Sequence, residues 1–397
     1  MIYTPSRIFN ALKRRKNDLL RIALYKPAAS GKLEDAVLFE AFDGKVVGDS
    51  PLDIFHELKI SHPHLNFYWT VRKGVQAPAG ATGLIYGSRE WLKVLATAKY
   101  LVNNSAFPWY FKKTEGQIYL QTWHGTPLKR LVRDIDASRV SPQYLNTMRK
   151  ESAAWDYLIS PSAYASSCFK TAFDFGSPKT AGQLLEVGYP RNDRLSKPSA
   201  EVRARVRKQL GVKSDQTQLV LYAPTWRDNN RNAVGTLQGV NYIDQNTKLP
   251  KGFTLAFRGH SMTLDSHNSK NANGAIDVTH YPDITELYLA ADVLVTDYSS
   301  VMFDFAVTGK PIIFLAPDIS QYVAERGFYF DFVSEAPGPI CATTAEVVDA
   351  LSHINDVAIT YGKAYKAWQA KFTPLEDGKA AKRTVHAVFG KAAKSAK

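Results

Sequence analysis

The sequence predicts an α/β protein in which two doubly wound domains face each other across a cleft. Strand-like, turn-like and helix-like stretches alternate along the chain, which is typical of parallel βαβ units. The chain has 397 residues, more than one hydrophobic core usually serves, so two domains are expected. Polar residues also follow several predicted strands, at the sheet edge where ligands bind in folds of this class.

The first half of the chain has the pattern of one sheet with its helices. The predicted elements are strands at 36–42, 66–71, 84–86, 100–102, 118–121 and 157–160, and helices at 89–97 and 163–173. Turn residues interrupt the pattern at 188–193. We place the end of the first domain near residue 195, so this domain spans 1–195.

The second half repeats strand, polar turn and helix more regularly. A helix of high propensity is predicted at 199–210, and Gly211 is its expected stop. The remaining predicted elements are strands at 219–223, 254–257, 293–295 and 312–315, and helices at 284–291 and from about 301. The second domain therefore spans 196–375, and 376–397 is predicted to be a basic helix or tail.

The net charge of +13 is concentrated at the two ends of the chain. Residues 1–26 carry seven basic side chains and one acid, with apolar residues between them, which predicts a basic amphipathic segment. Such a segment can bind an anionic membrane surface. The alternative is a solvated helix face with a frayed tail. No nucleic-acid-binding motif accompanies the charge, so a nucleic-acid partner is not expected.

Composition narrows the class of protein further. No apolar run is long enough to span a bilayer, and the first residues lack the pattern of a signal peptide. Cys168 and Cys341 are too few and too far apart for a disulfide scaffold. We therefore expect a reducing, cytoplasmic environment. No metal-ligand spacing, P-loop or GxGxxG after a strand is present in the sequence.

A lone histidine follows the predicted strand 118–121. The strand breaks at Gly125 and Pro127, which leaves His124 at its carboxyl end. Histidine is the side chain whose ordinary pKa suits proton transfer near neutral pH, so His124 is a candidate base. The alternative is that His124 caps a turn or fills a polar niche in the core.

A second group of candidates follows strands of the second half. Arg258 and His260 come after one strand, and Asp297, Ser299 and Ser300 come after another. A fixed positive charge and hydroxyl groups at the start of a helix suit the oxygens of a diphosphate. The alternative for Ser299 is simple capping of that helix, and the two interpretations are compatible. Such a pocket predicts a nucleotide diphosphate as ligand.

Arg227 lies in a third polar turn, after the predicted strand 219–223. It stands between Trp226 and Asp228, so it is either a residue of the cleft or one half of a local salt bridge beside a core indole. The aromatic stretch 326–332 is expected to be structural rather than catalytic.

Taken in order, eight segments of the chain are similar to those of one family. They are QTWHGTPLK (121–129), GYPRND (188–193), YAPTWRD (222–228), RGH (258–260), DVLVTDYSSVMFDFA (292–306), KPIIFLAPD (310–318), RGFYFDF (326–332) and DGKAAKR (377–383). The chain resembles the CDP-glycerol glycerophosphotransferases of teichoic acid and related capsule-type polymer synthesis, over roughly residues 95–385.

The resemblance implies a GT-B-like fold, with an acceptor-side domain first and a CDP-donor domain second. The implied reaction moves glycerol phosphate from CDP-glycerol to a hydroxyl of a lipid-linked acceptor and releases CMP. It also implies a location in the cytoplasm, at the inner face of the cell membrane. The last segment is expected to cross back near the cleft.

The resemblance also assigns roles to single residues. His124 would be the general base, and His260 is the second catalytic candidate, holding the donor diphosphate with Arg258. The remaining substrate-binding candidates are Asp297, Ser299, Ser300, Arg227, Gly125, Thr126 and Asn104, with Asp193 a further cleft residue. Asp297 would order its turn or contact donor hydroxyls. No metal is required by the motifs, and Mg²⁺ held by the substrate's own phosphates stays open.

Several alternatives remain at the level of the sequence. CDP-ribitol could replace CDP-glycerol, because nothing at 229–252 identifies the polyol. A GT-B glycosyltransferase using a nucleotide sugar would need the same diphosphate cleft. A non-catalytic basic protein that binds surfaces is the third alternative. The short chain is similar in length to a primase that adds a first unit or to a capsule-type transferase.

Overall fold

The computed structural model describes residues 18–25, 31–177, 182–212, 214–225, 243, 247–259 and 275–390. Two parallel β-sheets with helices on both faces make up these residues. The predicted α/β class with two doubly wound sheets is therefore confirmed. The exact domain boundary near residue 195 stays a prediction.

The first sheet has seven strands in the order β3-β2-β1-β4-β5-β6-β7, all parallel. Its strands are β1 Glu34–Glu40, β2 Asn66–Val71, β3 Thr82–Ile85, β4 Ala98–Asn103, β5 Ile118–Gln121, β6 Tyr157–Ser160 and β7 Gln183–Glu186. The helices of this half are α1 18–25, α2 Asp49–Ser61, α3 Arg89–Thr97, α4 Pro142–Ser152 and α5 Ala163–Phe173. Short 3-10 helices lie at Phe42–Gly44, Val132–Asp134 and Pro190–Asn192.

The second sheet has six parallel strands in the order β10-β9-β8-β11-β12-β13. They are β8 Gln218–Tyr222, β9 Phe253–Phe257, β10 Ile276–Asp277, β11 Val293–Thr296, β12 Ile312–Leu315 and β13 Ile340–Cys341. The helices are α6 Asp193–Ser196, α7 Ala200–Gln209, α8 Ile284–Ala290, α9 Val301–Ala306, α10 Ile319–Arg326, α11 Phe332–Glu335, α12 Thr344–Ser352, α13 Ile354–Thr360, α14 Gly362–Phe372 and α15 Ala380–Phe389.

Each sheet is buried on both faces, and the alternation of side chains along a strand divides the core. In β1, Leu38 packs on one face beside Trp91, whereas Phe39 packs on the other and stacks on Trp69 with ring centroids 5.3 Å apart. Strands covered on both sides read as continuous apolar runs, which explains why the sequence located them well. The strand predicted at 36–42 ends earlier, at Glu40, because Phe42 turns the chain with φ 47°.

The last helix returns to the first sheet. Val385 and Val388 of α15 belong to the core beside Phe39, and Arg383 donates two hydrogen bonds to the carbonyl of Val187. Asp193 accepts hydrogen bonds from the backbone N–H groups of Ala380 and Ala381, at 2.8 and 2.9 Å, and so caps α15. These residues of the last segment therefore pack against the first half. Their place near the cleft stays a prediction, and residues 391–397 lie outside the described part.

Candidate active site

His124 lies in a tight turn directly after β5. Trp123 has φ 53°, in the left-handed region that bulky residues rarely adopt. Two hydrogen bonds hold the turn: the Thr122 N–H donates to the Asn103 carbonyl, and the Trp123 N–H donates to the Gln121 side-chain oxygen, both at 2.9 Å. The strained turn brings the imidazole to the carboxyl edge of the first sheet.

The orientation of the His124 ring is fixed on several sides. Nδ1 lies 2.7 Å from the backbone carbonyl oxygen of Asn104. Because a carbonyl only accepts, Nδ1 carries the proton, and Nε2 of the neutral ring keeps its lone pair. Trp123 stacks on the ring with centroids 4.6 Å apart, and Phe42 contacts it edge-on at 6.0 Å. This arrangement is suited to a general base acting through Nε2.

The surroundings of His124 also favour the neutral ring. The side chain is exposed, yet many protein atoms surround it. Removal from bulk water lowers its pKa below the ordinary value, the Asn104 carbonyl and the Asp49 carboxylate oppose this, and the Arg191 guanidinium adds to it. His124 is therefore neutral, and able to accept a proton, at neutral pH.

Gly125, the residue after His124, packs closely against Ser300 of the second half of the chain. A Cβ atom placed on Gly125 would lie 2.7 Å from Oγ and 2.9 Å from Cβ of Ser300. Gly125 and Thr126 are buried, whereas Ser300 and its neighbour Ser299 are half-buried. The structure thus brings Gly125, the neighbour of His124, against Ser300.

The segment after His124 pairs with the aromatic stretch 326–332. The Arg130 N–H donates to the Gly327 carbonyl at 3.1 Å, and the Tyr329 N–H donates to the Leu128 carbonyl at 2.9 Å, around an antiparallel bridge between Lys129 and Phe328. This stretch therefore has a structural role in joining the halves.

Asp297 and the serines form the turn between β11 and α9. Asp297 is buried, and its Oδ1 accepts hydrogen bonds from the N–H groups of Thr225 at 2.7 Å and Tyr298 at 2.6 Å. Of its two expected roles, the structure shows the ordering of the turn. Ser300 occupies the N-cap position of α9 and makes no side-chain capping hydrogen bond. The role of Ser299 stays a prediction.

Arg258 follows β9 and is held by backbone carbonyls. Its Nη1 donates to the Val278 and Tyr281 oxygens at 3.0 and 2.8 Å, and burial lowers its pKa. These contacts fix the guanidinium at the carboxyl edge of the second sheet. His260 and Arg227 lie outside the described residues, so their expected roles remain predictions.

Two other expected cleft residues have positions that the sequence did not indicate. Asn104 is fully buried, and its side-chain oxygen accepts a hydrogen bond from the Phe42 N–H at 2.9 Å, so it orients His124 through its backbone carbonyl. Asp193 caps α15 rather than lining the site. Among the described residues, no group of three or more His, Cys, Asp or Glu side chains is placed to hold a metal.

Sequence reasoning missed the buried Arg191 and its carboxylate partners Asp49 and Asp304. Arg191 lies in the segment 188–193, which the sequence singled out without assigning a role to this residue. The only signal for the group was an arginine between a proline and an asparagine in a turn.

Comparison with known proteins identifies the family of this chain. Residues 21–390 match the family described as CDP-glycerol:poly(glycerophosphate) glycerophosphotransferase. The teichoic acid poly(glycerol phosphate) polymerase of Bacillus subtilis is 37% identical over 366 residues, which are 89% of this chain and 48% of that protein. The chain therefore spans about half the length of this relative. The teichoic acid glycerol-phosphate transferase of Staphylococcus aureus is 36% identical to this chain. The match covers 90% of this chain and 93% of that protein.

A solved structure has the same architecture. A variant of the wall teichoic acid polymerase TagF, with histidine replaced by asparagine and soaked with CDPG, superposes with a TM-score of 0.83. It is 30% identical to this chain, and the match covers 98% of each. The resemblance drawn from the sequence motifs is confirmed. The chain belongs to the CDP-glycerol:poly(glycerophosphate) glycerophosphotransferase family.

Proposed function

We propose that this protein transfers glycerol phosphate from CDP-glycerol to a hydroxyl of a lipid-linked, teichoic-acid-type acceptor and releases CMP. The contact of Gly125 with Ser300 is the observation that carries the proposal, because it puts a base of the first half beside the donor-side turn of the second. Family membership and the TagF structure soaked with CDPG support the choice of donor.

In the proposed reaction, Nε2 of His124 accepts the proton of the acceptor hydroxyl. The acceptor oxygen then forms a bond to the β-phosphorus of CDP-glycerol, the bond from that phosphorus to the bridging oxygen breaks, and CMP leaves with the bond's electron pair. Arg258, His260 and the hydroxyls of Ser299 and Ser300 hold the diphosphate. Phosphoryl transfer depends mainly on positioning and charge stabilisation, which such groups supply.

The proposed mechanism uses no metal held by the protein. Mg²⁺ bound by the donor's own phosphates stays an open alternative, and CMP release measured with EDTA and then with added Mg²⁺ decides it.

An exposed apolar patch supports a membrane-bound acceptor. Leu19, Leu20 and Leu24 of α1 are 61, 56 and 44% exposed. Trp109 is 67% exposed, and its indole N–H donates to Asp18 of the same helix at 3.2 Å. Exposed leucine side chains beside an amphipathic indole suit the interface of a bilayer. Among the described residues, no helix is long and apolar enough to cross a membrane. The proposed location is the cytoplasmic face of the cell membrane, with α1 lying on the surface.

A donor panel with purified protein tests the proposal. CDP-glycerol, CDP-ribitol, a UDP-sugar and a GDP-sugar are each offered with lipid-linked saccharide and glycerol-phosphate acceptors, and nucleotide release is measured. We expect CMP from CDP-glycerol, and a fall of about 100-fold or more for His124→Ala. His353→Ala is the matched control, because His353 is an exposed histidine at the carboxyl end of α12.

Two outcomes would contradict the proposal. Turnover of a nucleotide sugar with CDP-glycerol inert would identify a glycosyltransferase. CMP release by the folded His124→Ala variant at more than about a tenth of the wild-type rate would show that His124 is not the general base. Preference for CDP-ribitol would keep the reaction and change the polyol.

A further inference from the structure

The segment 188–193 joins the two halves through one buried cation. Arg191 lies in the 3-10 helix Pro190–Asn192, and its side chain is 4% exposed. A buried guanidinium is stable only when its N–H groups are paired, so its partners are informative.

Carboxylates from both halves pair with Arg191. Its Nε and Nη2 donate to the two oxygens of Asp304 at 3.1 and 3.0 Å, and its Nη1 donates to Oδ1 of Asp49 at 3.2 Å. Asn192 also donates to Asp304 at 3.0 Å. Asp304 belongs to α9 of the second half and Asp49 begins α2 of the first. The planar fork of an arginine fixes direction as well as distance in a pair of this kind.

One face of α9 makes both contacts with the first half. Ser300 and Asp304 are four residues apart and so lie on the same side of the helix. Ser300 touches Gly125, the neighbour of the base, and Asp304 is held by Arg191. The helix α9 is therefore held against the first half at two points one helical turn apart.

The ion-pair joint formed by Arg191, Asp49 and Asp304 also acts electrostatically on the imidazole of His124. Among the described residues, Asp49 and Arg191 are the charged groups that act on His124, and their effects have opposite signs. The other neighbours that we find for the ring are uncharged: Trp123, Phe42 and the carbonyl of Asn104.

We propose that Arg191, clamped between Asp304 and Asp49, is a positioning residue that holds the base His124 in register with the donor-side turn of α9. This inference rests on the proposed function for its kinetic consequences. It assigns Arg191 no contact with the reacting atoms.

Arg194, the first residue after this segment, provides a matched control. It also joins the halves, donating to Asp53 of α2 at 3.2 Å and to Asp283, the N-cap of α8, at 2.7 Å. It does not act on the charge of His124. If both arginines only joined the halves, Arg191→Gln and Arg194→Gln would have the same effect on the titration of His124.

Three variants separate charge from geometry. Arg191→Gln removes a cation that disfavours the imidazolium, so the pKa of His124 rises and the acid limb of the kcat/KM profile moves to higher pH. Asp49→Asn moves both to lower pH. Arg191→Lys keeps the charge but loses the fork, so kcat falls without a displaced limb. We expect kcat to fall about 10- to 100-fold in Arg191→Gln, with KM for CDP-glycerol changed by less than about threefold.

The titration of His124 is also followed by NMR in ¹³C-histidine-labelled protein, with His124→Ala identifying the signal. This measurement needs no turnover, so an inactive wild type would reject the proposed function and leave the inference testable. Opposite displacements in Arg191→Gln and Asp49→Asn, with none in folded Arg194→Gln, are the expected result. If Arg191→Gln does not fold, Asp49→Asn against Arg194→Gln carries the test. Equal titration of His124 in wild type, Asp49→Asn and Arg194→Gln would overturn the inference.

Discussion

Gly125→Ala is the sharpest test of the idea that contact between the halves sets the catalytic distance. The new Cβ would lie 2.9 Å from Cβ of Ser300, and rotation of the serine cannot relieve this, because only Oγ moves. Two such carbons need about 3.5 Å, so the halves must separate locally by about 0.6 Å. A misplacement of about 1 Å costs on the order of 100-fold in rate, so we expect kcat to fall about tenfold or more.

A double-mutant cycle isolates this clash from other effects of the substitution. Ser300→Gly removes both Oγ and Cβ, so Gly125→Ala should cost little in that background, even if Ser300→Gly itself weakens donor binding. The assay is steady-state CMP release with kcat and KM resolved, and thermal unfolding confirms that each variant is folded. Gly362→Ala is the control, since no atom lies within 4 Å of its new Cβ. An equal loss of kcat from Gly125→Ala in both backgrounds would refute the reasoning.

Three further predictions follow from other parts of the structure. Burial raises the pKa of Glu40 to about 8 from an ordinary 4.5. The stability that protonated Glu40 contributes is therefore complete below about pH 4.5 and is lost as pH rises through 8. In urea unfolding, Glu40→Gln should flatten this fall of stability with pH, and an unchanged dependence of stability on pH would contradict the prediction. The double variant Leu20→Ser/Trp109→Ser should bind anionic vesicles more weakly than wild type in a sedimentation assay. The control Ile359→Ser, at an exposed site elsewhere, should bind as wild type does. Equal binding by wild type and both variants would argue against α1 as the membrane face. Asp193→Ala should lower the unfolding free energy by about 1 kcal/mol through the lost cap of α15 while kcat holds, and a loss of kcat in the folded variant would return Asp193 to the cleft.

The strands that carry the site could be predicted from sequence because each is a short apolar run with polar residues at its end. Strands at 66–71, 118–121 and 157–160 were predicted with the observed bounds. The position of His124 after β5 followed from this directly. Helix α2 was missed, although Ile54, Phe55 and Leu58 have helical spacing. Its buried Ser50 and Asp53 interrupt the apolar stripe, because α2 packs against the polar joint as well as the core.

The joint around Arg191 could not be predicted, because its partners are remote in the chain. Asp304 and Asp49 lie 113 and 142 residues away from Arg191, and no local pattern reports such a pairing. The same limit applies to Gly125, whose need for a missing side chain becomes clear only when Ser300 is placed against it. Residues that align two halves of a fold are therefore the ones that local sequence patterns identify least well.

The lowered pKa of His124 also bears on where the rate enhancement arises. Crowding by the protein makes the imidazole a weaker base than a free one, although it keeps the ring neutral and ready to accept a proton. A loose phosphoryl-transfer transition state needs little bond formation to the nucleophile, so weak basicity costs little there. In the proposed reaction, the larger share of the barrier then has to be lowered at the diphosphate, where charge develops on the departing CMP. It follows that the alignment of α9 with the loop of His124 matters more than the basicity of the ring. In Arg191→Lys, kcat should therefore fall by more than any change in the pKa of His124 can explain.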